Sequence, residues 1–383
     1  MVRQAAVEAL GNLMGTMVVV DPGNGRILSI VNQNLALKSG YRPCSTFKPA
    51  VALAALEEGV IENDHSRLQL GKKWYLDLQQ SLAFSNNVYF AKLGTILGLD
   101  KLRKYGEAFG FGEQAGWGIA EEPPGAFPEE PPPPSQGGVG KVAVFGEGIS
   151  QTTLQLVSFV SAVANGGSLY YLQYPSSPEE IRNYRARLKR KLDIGRWLEP
   201  VRQGMREAVL FGTARRANQP DVAILGKTGT CSQDGMRLGW FAGYSEGDGG
   251  VAVAVLQRTS QPMGGGPHAA ELAGHLFRKL ADENYFAQLA AARVAPTASP
   301  NARPAISAAP STPPAVTSAP DSKSSEAATP NPLPAGTAAP GATDPAPSME
   351  TSPTPDPGGS VVSGAPDSIS STGESPEPAN PIN

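Results

Sequence analysis

The 383-residue sequence contains little cysteine, little histidine and no excess of positive charge. Its 2 cysteines are too few for a disulfide-dense scaffold. The 3 histidines, His65, His268 and His275, are scattered without the spacing of a metal site, so we expect no metal and no cofactor. The formal net charge is −3 with both signs mixed, which gives no reason to expect a nucleic-acid partner.

Long apolar runs are also missing from the sequence. No stretch reaches the roughly 18 apolar residues that a membrane-spanning helix needs. Residues 1–10 form a short amphipathic segment, and because no apolar core follows it, the segment is not a signal peptide. We therefore expect that an N-terminal anchor precedes these residues or that the mature start lies upstream.

Aromatic residues are absent from the C-terminal part of the chain. From residue 288 onward there is no Phe, Trp or Tyr, and Pro, Ala, Ser and Thr dominate. Such a segment cannot bury enough apolar surface to offset the entropy of ordering its backbone. We predict that 291–383 is a disordered, partly polyproline-II tail, either a passive spacer or a tether, and that 1–290 is one folded domain.

The folded part begins and ends with strand patterns and has helical patterns between them. The predicted strands are 15–21, 26–32, 222–230, 237–245 and 250–258. The predicted helices are 45–58, 152–165 and 269–289, and 74–118 is predicted to be helical with breaks marked by glycine. The sheet is therefore split between the two ends of the folded part, which is a mixed α+β arrangement.

Two further segments have a strong compositional bias. The seven prolines of 121–138 predict an extended surface loop. The basic run 182–191 is interpreted as the solvated face of a helix.

The tetrapeptide Ser45-Thr46-Phe47-Lys48 places a hydroxyl and an amine three residues apart at the start of a predicted helix. Side chains with this spacing lie on the same helix face. A serine hydroxyl becomes a good nucleophile when a base takes its proton, and a lysine of lowered pKa can be that base. The motif indicates a serine nucleophile, although a single Ser-x-x-Lys is common by chance.

The tripeptide Ser85-Asn86-Asn87 lies inside the helical region after Phe84. A hydroxyl and an amide one residue apart could pass on a proton and hold a substrate carbonyl. The same tripeptide alone is also typical of an ordinary helix cap or turn.

The tetrapeptide Lys227-Thr228-Gly229-Thr230 ends an apolar strand. A glycine within a strand lets another backbone approach closely, and a lysine beside two hydroxyls can receive a carboxylate. An exposed edge strand with a chance glycine would show the same pattern.

In this order the three motifs resemble those of penicillin-binding proteins and serine β-lactamases. The resemblance extends over roughly residues 1–285 and is to the transpeptidase domain of high-molecular-mass penicillin-binding proteins. Its further segments are Gly40-Tyr41-Arg42-Pro43, Asn87-Val88-Tyr89-Phe90, Phe109-Gly110-Phe111-Gly112, Ala164-Asn165-Gly166-Gly167, Gly204-Met205-Arg206, Gly212-Thr213-Ala214 and Gly239-Trp240-Phe241-Ala242-Gly243-Tyr244. It implies an α+β fold with a five-stranded antiparallel sheet flanked by helices, and an inserted all-helical subdomain at about 41–138.

The resemblance also implies a D,D-transpeptidase of the cell envelope that cross-links peptidoglycan stem peptides and is acylated by β-lactams. Ser45 would be the nucleophile and Lys48 its general base. Ser85 would relay the proton to the leaving group, and Asn87 would hold the peptide amide.

The same resemblance assigns the substrate carboxylate to the second half of the chain. Lys227 and the hydroxyls of Thr228 and Thr230 would bind it, beside Gly229. The backbone N–H groups of Ser45 and Thr230 would form the oxyanion hole.

The chain departs from the family pattern at two positions. The family usually has glycine just before the nucleophile and glutamine within a Gly-Gln-Gly, where this chain has Cys44 and Glu147. Cys231 directly follows the Lys-Thr-Gly-Thr motif, and paired cysteines at these two places resemble the disulfide of certain carbapenem-hydrolysing β-lactamases. The alternative is two small buried thiols.

Other functions share this chemistry. A serine β-lactamase would need a base for water, and the class A Glu-x-x-Leu-Asn loop is absent upstream of Lys227; class D enzymes have valine where this chain has Asn87. A D,D-carboxypeptidase differs only in the acceptor, which the sequence does not reveal. A non-catalytic penicillin-recognising sensor would need a membrane-spanning transducer.

Overall fold

The computed structural model describes residues 1–38, 40–247, 250–260 and 264–294. Its strands are β1 (Gly15–Asp21), β2 (Arg26–Val31), β3 (Leu68–Gln69), β4 (Tyr75–Leu76), β5 (Ser168–Tyr170), β6 (Leu188–Lys191), β7 (Ile224–Gln233), β8 (Met236–Ser245) and β9 (Ala252–Thr259). Its α-helices are α1 (Val2–Leu10), α2 (Gln33–Leu37), α3 (Lys48–Glu57), α4 (Leu78–Ala83), α5 (Asn87–Ala108), α6 (Gly138–Phe145), α7 (Thr153–Ala164), α8 (Pro178–Arg182), α9 (Gly195–Leu210), α10 (Gly266–Asp282) and α11 (Tyr285–Val294). Short 3-10 turns cover Cys44–Phe47, Pro134–Gln136 and Arg215–Ala217.

A five-stranded sheet in the order β2-β1-β9-β8-β7 lies at the centre of the fold, and each neighbouring pair in it is antiparallel. β1 and β2 form the N-terminal hairpin, and β1 then pairs with β9, so that Val18 lies opposite Ala254. The predicted α+β class and the split of the sheet between distant parts of the chain are confirmed. β7 is an edge strand, so its outer side is open to side chains and substrates.

Both faces of this sheet are covered by helices. Successive strand residues point to opposite faces, so apolar neighbours in one strand contribute to both cores. Met17 and Val19 belong to a hydrophobic core that they share with α1 and α10. Val18 and Val20 belong to a second core, which includes α3 and α7. Burial on both sides explains why β1 is an almost continuous apolar run rather than an alternating one.

Three predicted helical regions are interrupted. The region 74–118 begins with β4, is divided into α4 and α5 by the turn at Ser85, and its last helix ends at Ala108. The helix at 45–58 begins as the 3-10 turn and becomes α3 at Lys48, with Pro49 in the first turn, where its missing N–H leaves no bond unmade. The helix at 269–289 is divided into α10 and α11 at Asn284, whose φ of 54° is incompatible with a continuing right-handed helix.

The interpretation of the basic run 182–191 as a helix face was wrong. Arg182 ends α8, and after a loop Leu188–Lys191 forms β6, which pairs with β5. The strand depends on hydrogen bonds to a partner distant in sequence, and charge patterning carries no information about that partner.

Two further expectations concern membrane-spanning helices and the start of the C-terminal tail. None of the helices in the described ranges is both long and apolar enough to cross a membrane. α11 extends to Val294, past the predicted start of the tail at 291, and 295–383 lie outside the described residues. The division at 290 and the limits of a helical subdomain at 41–138 stay predictions.

Candidate active site

Ser45 lies in the 3-10 turn that leads into α3, with 7% of its surface exposed. Residues three apart eclipse one another in a 3-10 turn, so Lys48 follows Ser45 on the same face. The ring of Phe47 anchors the turn by packing edge-on against Phe111, with 5.4 Å between the ring centroids. The local fold therefore places a hydroxyl and an amine on one face of the turn.

The Lys48 amine is completely buried and has three polar neighbours. Its Nζ atom lies 2.7 Å from the Ser85 carbonyl oxygen, 2.7 Å from Asn87 Oδ1 and 3.0 Å from the Ser85 hydroxyl. The carbonyl and amide oxygens only accept, and together they occupy two N–H groups. A proton can therefore move in either direction between Lys48 Nζ and the Ser85 hydroxyl.

The charge state of this amine is set by its surroundings. Burial, and then the positive charge of Lys227, lower the pKa of Lys48 to about 6. An amine with this pKa is mostly neutral at pH 7, so it has a lone pair for a proton. Burial also lowers the pKa of Lys227, to about 7.

The Ser85 tripeptide forms the turn between α4 and α5. Ser85 has a φ of 55°, a left-handed conformation that reverses the chain. Asn86 is the N-cap of α5, and its side chain accepts a hydrogen bond of 2.9 Å from the Tyr89 N–H. The expected helix cap is present at Asn86, and Ser85 and Asn87 contact Lys48; their roles in proton transfer and substrate binding stay predictions.

β7 passes directly against the 3-10 turn that carries Ser45, and Gly229 makes this approach possible. A Cβ atom at position 229 would lie 3.0 Å from the Pro43 carbonyl oxygen and 3.2 Å from Cys44 Cβ, tighter than nearly all contacts of that kind. Lys227, two residues earlier on the same strand face, is 1% exposed, and its ammonium donates to the Thr228 carbonyl oxygen at 3.0 Å. The structure thus brings the first and third motifs together.

The two threonines of this motif have hydrogen-bond partners. The Thr230 hydroxyl accepts from the Gly266 N–H at 2.8 Å, which leaves its own proton free to be donated. The Thr228 hydroxyl donates to the Thr213 hydroxyl at 2.7 Å. Thr213, which the sequence analysis quoted only within a family-like segment, therefore joins the candidate carboxylate site and has a proton of its own to donate.

An exposed aromatic pair borders the site and was missed from the sequence. Phe84 and Phe211 are 58% and 51% exposed, and their ring centroids lie 5.9 Å apart. Phe84 directly precedes Ser85, and the Thr213 N–H donates to the neighbouring Ala83 carbonyl at 3.1 Å. The only signal in the sequence was one phenylalanine directly before Ser85-Asn86-Asn87 and another directly before Gly212-Thr213-Ala214. The two rings meet because α4 and α9 pack side by side.

Cys44 and Cys231 are joined by a disulfide, with their Cα atoms 5.7 Å apart. The bond ties the residue before Ser45 to the residue after Thr230, so both proposed oxyanion donors have a cross-linked neighbour. Cys44 has a φ of 52°, the region in which glycine alone avoids a steric cost. The family's usual glycine and this chain's cysteine are thus two ways of occupying one unusual backbone conformation.

Reduction of this disulfide should lower both the stability of the fold and the rate of acylation. The cross-link closes 187 residues, and the chain-entropy model gives up to about 5 kcal/mol for such a loop. Urea unfolding should show the loss for Cys231→Ser. The double variant Cys44→Gly/Cys231→Ser should regain about 1 kcal/mol, because glycine removes the left-handed penalty at position 44.

The same double variant is the control for reductant, since it has no disulfide to reduce. It should unfold at the same urea concentration with and without dithiothreitol. If thiol titration shows that dithiothreitol opens the bond in the native protein, and the urea concentration of unfolding nevertheless stays the same, the disulfide does not stabilise the fold.

Glu147, for which the sequence offered no role, forms an ion pair. Its carboxylate lies 2.8 Å from Arg42 and 3.6 Å from Lys141. The adjacent Gly146 packs on Pro43, where an added Cβ would be only 2.3 Å from the proline ring. The Glu147 turn therefore contacts the segment that leads to Ser45.

A family model described as the penicillin binding protein transpeptidase domain matches residues 15–280. The chain belongs to this family. Stage V sporulation protein D of Bacillus subtilis is similar to it, 31% identical over 68% of this chain and 48% of the relative. The peptidoglycan D,D-transpeptidase MrdA of Acinetobacter baumannii is 22% identical over 71% of this chain and 51% of its own length. The chain thus spans about half the length of these relatives.

Solved structures support the fold. The transpeptidase domain of Burkholderia pseudomallei penicillin-binding protein 3 gives a TM-score of 0.61 at 18% identity, covering 74% of this chain and 92% of that one. Pseudomonas aeruginosa PBP2 in complex with WCK 5153 gives 0.60 at 22% identity, covering 73% and 76%. The fold is therefore that of these transpeptidase domains.

Proposed function

We propose that this chain is a D,D-transpeptidase that cross-links peptidoglycan stem peptides through an acyl-enzyme on Ser45. The observation that carries the proposal is the buried amine of Lys48, mostly uncharged at pH 7, on the same face as Ser45 and bonded to Ser85. Membership of the family and the likeness to relatives named peptidoglycan D,D-transpeptidase support the same substrate.

In the first step Lys48 takes the hydroxyl proton as Ser45 Oγ attacks the carbonyl carbon of the penultimate D-Ala. The N–H groups of Ser45 and Thr230 stabilise the oxyanion. The proton then passes from Lys48 through the Ser85 hydroxyl to the nitrogen of the terminal D-Ala. The C–N bond breaks, D-Ala leaves, and an ester remains on Ser45.

The substrate is held at both ends of the reacting bond. Because the Asn87 oxygen is occupied by Lys48, its amide N–H groups are left to donate to a peptide carbonyl. The Lys227 ammonium and the protons of Thr230 and Thr213 are donors for the terminal carboxylate. A bound carboxylate compensates the positive charge of Lys227, so the buried amine stays protonated.

In the second step the amine of another stem peptide attacks the ester. Its proton returns through Ser85 and Lys48 to Ser45 Oγ as the C–O bond breaks, which restores the free enzyme. A β-lactamase would instead need a base that activates water. Among the described residues no carboxylate is hydrogen-bonded to Lys48 or Ser85, and Glu147 is engaged by Arg42, which favours a long-lived ester.

We infer that the reaction takes place at the cell envelope, on the outer face of the cytoplasmic membrane or in the periplasm, where stem peptides are found. The disulfide suits an oxidising compartment. Stem peptides and β-lactams are the expected partners, and other cell-wall synthesis proteins would be contacted through modules outside this sequence.

The lifetime and the fate of the acyl-enzyme test this proposal. A fluorescent penicillin should form an adduct on the peptide containing Ser45 that persists for many minutes. With a stem pentapeptide and a D-amino acid as acceptor, mass spectrometry should find the exchanged peptide in excess over the hydrolysed one.

Other outcomes would assign a different activity. Loss of the ester within seconds, with steady nitrocefin turnover, would identify a β-lactamase. Hydrolysed peptide alone at every acceptor concentration would identify a carboxypeptidase, and no reaction with the pentapeptide at all would identify a sensor.

A further inference from the structure

Three adjoining cavities surround the loop at Trp117 and Gly118, away from the residues of the candidate active site. Their volumes are about 240, 560 and 500 Å³. The second and third share Trp117, the first and third share Tyr174, and the first and second share Gly118. The three adjoining cavities are together called the Trp117 groove.

Two large aromatic side chains are exposed in the Trp117 groove. Trp117 is 49% exposed and Tyr174 is 51% exposed. Arg187 stacks on the Trp117 ring, 4.3 Å from its centroid, and Tyr171 packs against it edge-on at 5.2 Å. Within the described part of the chain, Tyr174 has no aromatic or cationic neighbour, so its ring is available. Two exposed rings beside the same cavities offer apolar faces on which a ligand can stack.

The backbone beneath these rings is firmly held. The Trp117 N–H donates to the Leu172 carbonyl at 2.8 Å, and the Leu172 N–H donates to the Ala115 carbonyl at 2.8 Å. The carboxylate of Glu122, completely buried, accepts from the Gly116 N–H at 2.6 Å and from the Thr152 hydroxyl at 2.9 Å. The rings are therefore displayed on a preorganised frame, which reduces the entropy lost when a ligand binds.

The polar side chains that line the Trp117 groove carry both signs of charge. Four basic side chains line it, those of Arg3, Arg185, Arg187 and Lys189. Lys189 forms an ion pair with Glu113, whereas none of the three arginines is ion-paired with another described residue. Three carboxylates line it as well, those of Glu113, Glu121 and Glu180. Phosphate-binding surfaces are strongly basic, so these carboxylates disfavour a nucleic acid or another polyphosphate.

A sugar chain fits this mixture. The C–H groups on one side of a pyranose ring carry partial positive charge and pack on the negative face of an aromatic ring. Its hydroxyl and acetamido groups both donate and accept hydrogen bonds, which arginines and carboxylates can satisfy together. An uncharged or weakly charged glycan therefore uses every type of group that the groove presents.

We propose that the Trp117 groove binds the glycan strand of peptidoglycan, with Trp117 and Tyr174 as the rings on which sugars stack. The proposal rests on the proposed function, since the stem peptides that Ser45 would use are attached to such strands. Holding the strand apart from the reacting peptide would raise the local concentration of stem peptides at the catalytic turn.

Binding of peptide-free glycan strands, prepared from peptidoglycan with an amidase, tests the groove directly. The whole chain should bind them in isothermal titration, and Tyr174→Ala and Trp117→Ala should each weaken binding about tenfold or more, as expected for aromatic anchors. Tyr174→Phe keeps the ring and should retain most of the affinity. Trp74→Ala, which removes another exposed tryptophan (43% exposed), is the matched control and should change nothing.

Labelling of Ser45 by a fluorescent penicillin, measured on the same samples, separates the two proposals. Glycan binding by the native chain that is lost in Tyr174→Ala, with labelling unchanged, would support the groove. Absent glycan binding with normal labelling, binding equal in all variants, or binding displaced by DNA would overturn the groove alone. Glycan binding without any labelling would leave the groove standing and overturn the proposed function. Circular dichroism melting checks that Trp117→Ala folds, and Tyr174→Ala carries the test if it does not.

Discussion

Replacing Ser45 with alanine is expected to abolish covalent labelling by a fluorescent penicillin. The 3-10 turn gives Ser45 a neighbouring base in Lys48 and a buried setting, and without Oγ no ester can form. Turnover of a stem pentapeptide should fall about a millionfold, the loss that removal of the nucleophile causes in serine hydrolases. Gel fluorescence measures the labelling, and peptide mapping by mass spectrometry locates the adduct.

The matched control for this change is Ser85→Ala, which removes a hydroxyl from the same site. It should slow acylation, because the proton relay is broken, yet leave the adduct on the peptide that contains Ser45. Undiminished labelling of Ser45→Ala, or an adduct that maps to Ser85 in the native protein, would contradict the assignment.

The rate of acylation is expected to depend on pH in a bell shape with its maximum between about 6 and 7. Lys48 must be neutral to take a proton, so below its pKa of about 6 the rate should fall tenfold per pH unit. Lys227 must be charged to attract a carboxylate, so the rate should also fall as pH rises above its pKa of about 7. The ratio kcat/KM for a penicillin is the quantity to follow, since it reports the free enzyme.

Variants and a modified substrate assign the two limbs of this profile. Lys48→Met should reduce the rate about 10²–10⁴-fold and remove the acidic limb. Lys104→Met, which changes an exposed lysine on α5, is the matched control and should leave the profile unchanged. A penicillin methyl ester has no carboxylate, so it should react slowly and without the alkaline limb. An acidic limb that survives in Lys48→Met would rule out Lys48 as the base.

Much of the fold could be predicted because its signals are local. β8, predicted at 237–245, begins and ends within a residue of the observed strand, since apolar runs with turn residues between them mark strand limits. α7 was similarly clear, because 152–165 has helical apolar spacing; the structure adds a capping box of Thr152 and Gln155 at its start.

The parts that sequence reasoning missed depend on contacts between distant segments. β6 exists because β5 lies beside it, and Thr213 joins the proposed carboxylate site because it follows α9 and bonds to Thr228. The aromatic pair of Phe84 and Phe211 forms across two helices. None of these pairings leaves a periodic trace in the sequence, so only the assembled fold reveals them.

The pairing of β1 with β9 has a consequence for the time course of synthesis. The two strands are roughly 240 residues apart along the chain, and at about 5–20 residues per second the ribosome needs tens of seconds to supply the second after the first. During that interval the inner edge of β1 has no partner and its apolar side chains lie open, a state prone to aggregation. The domain can therefore complete its sheet only late, and a chaperone or continued extension through a translocation channel would have to protect the hairpin until β9 arrives.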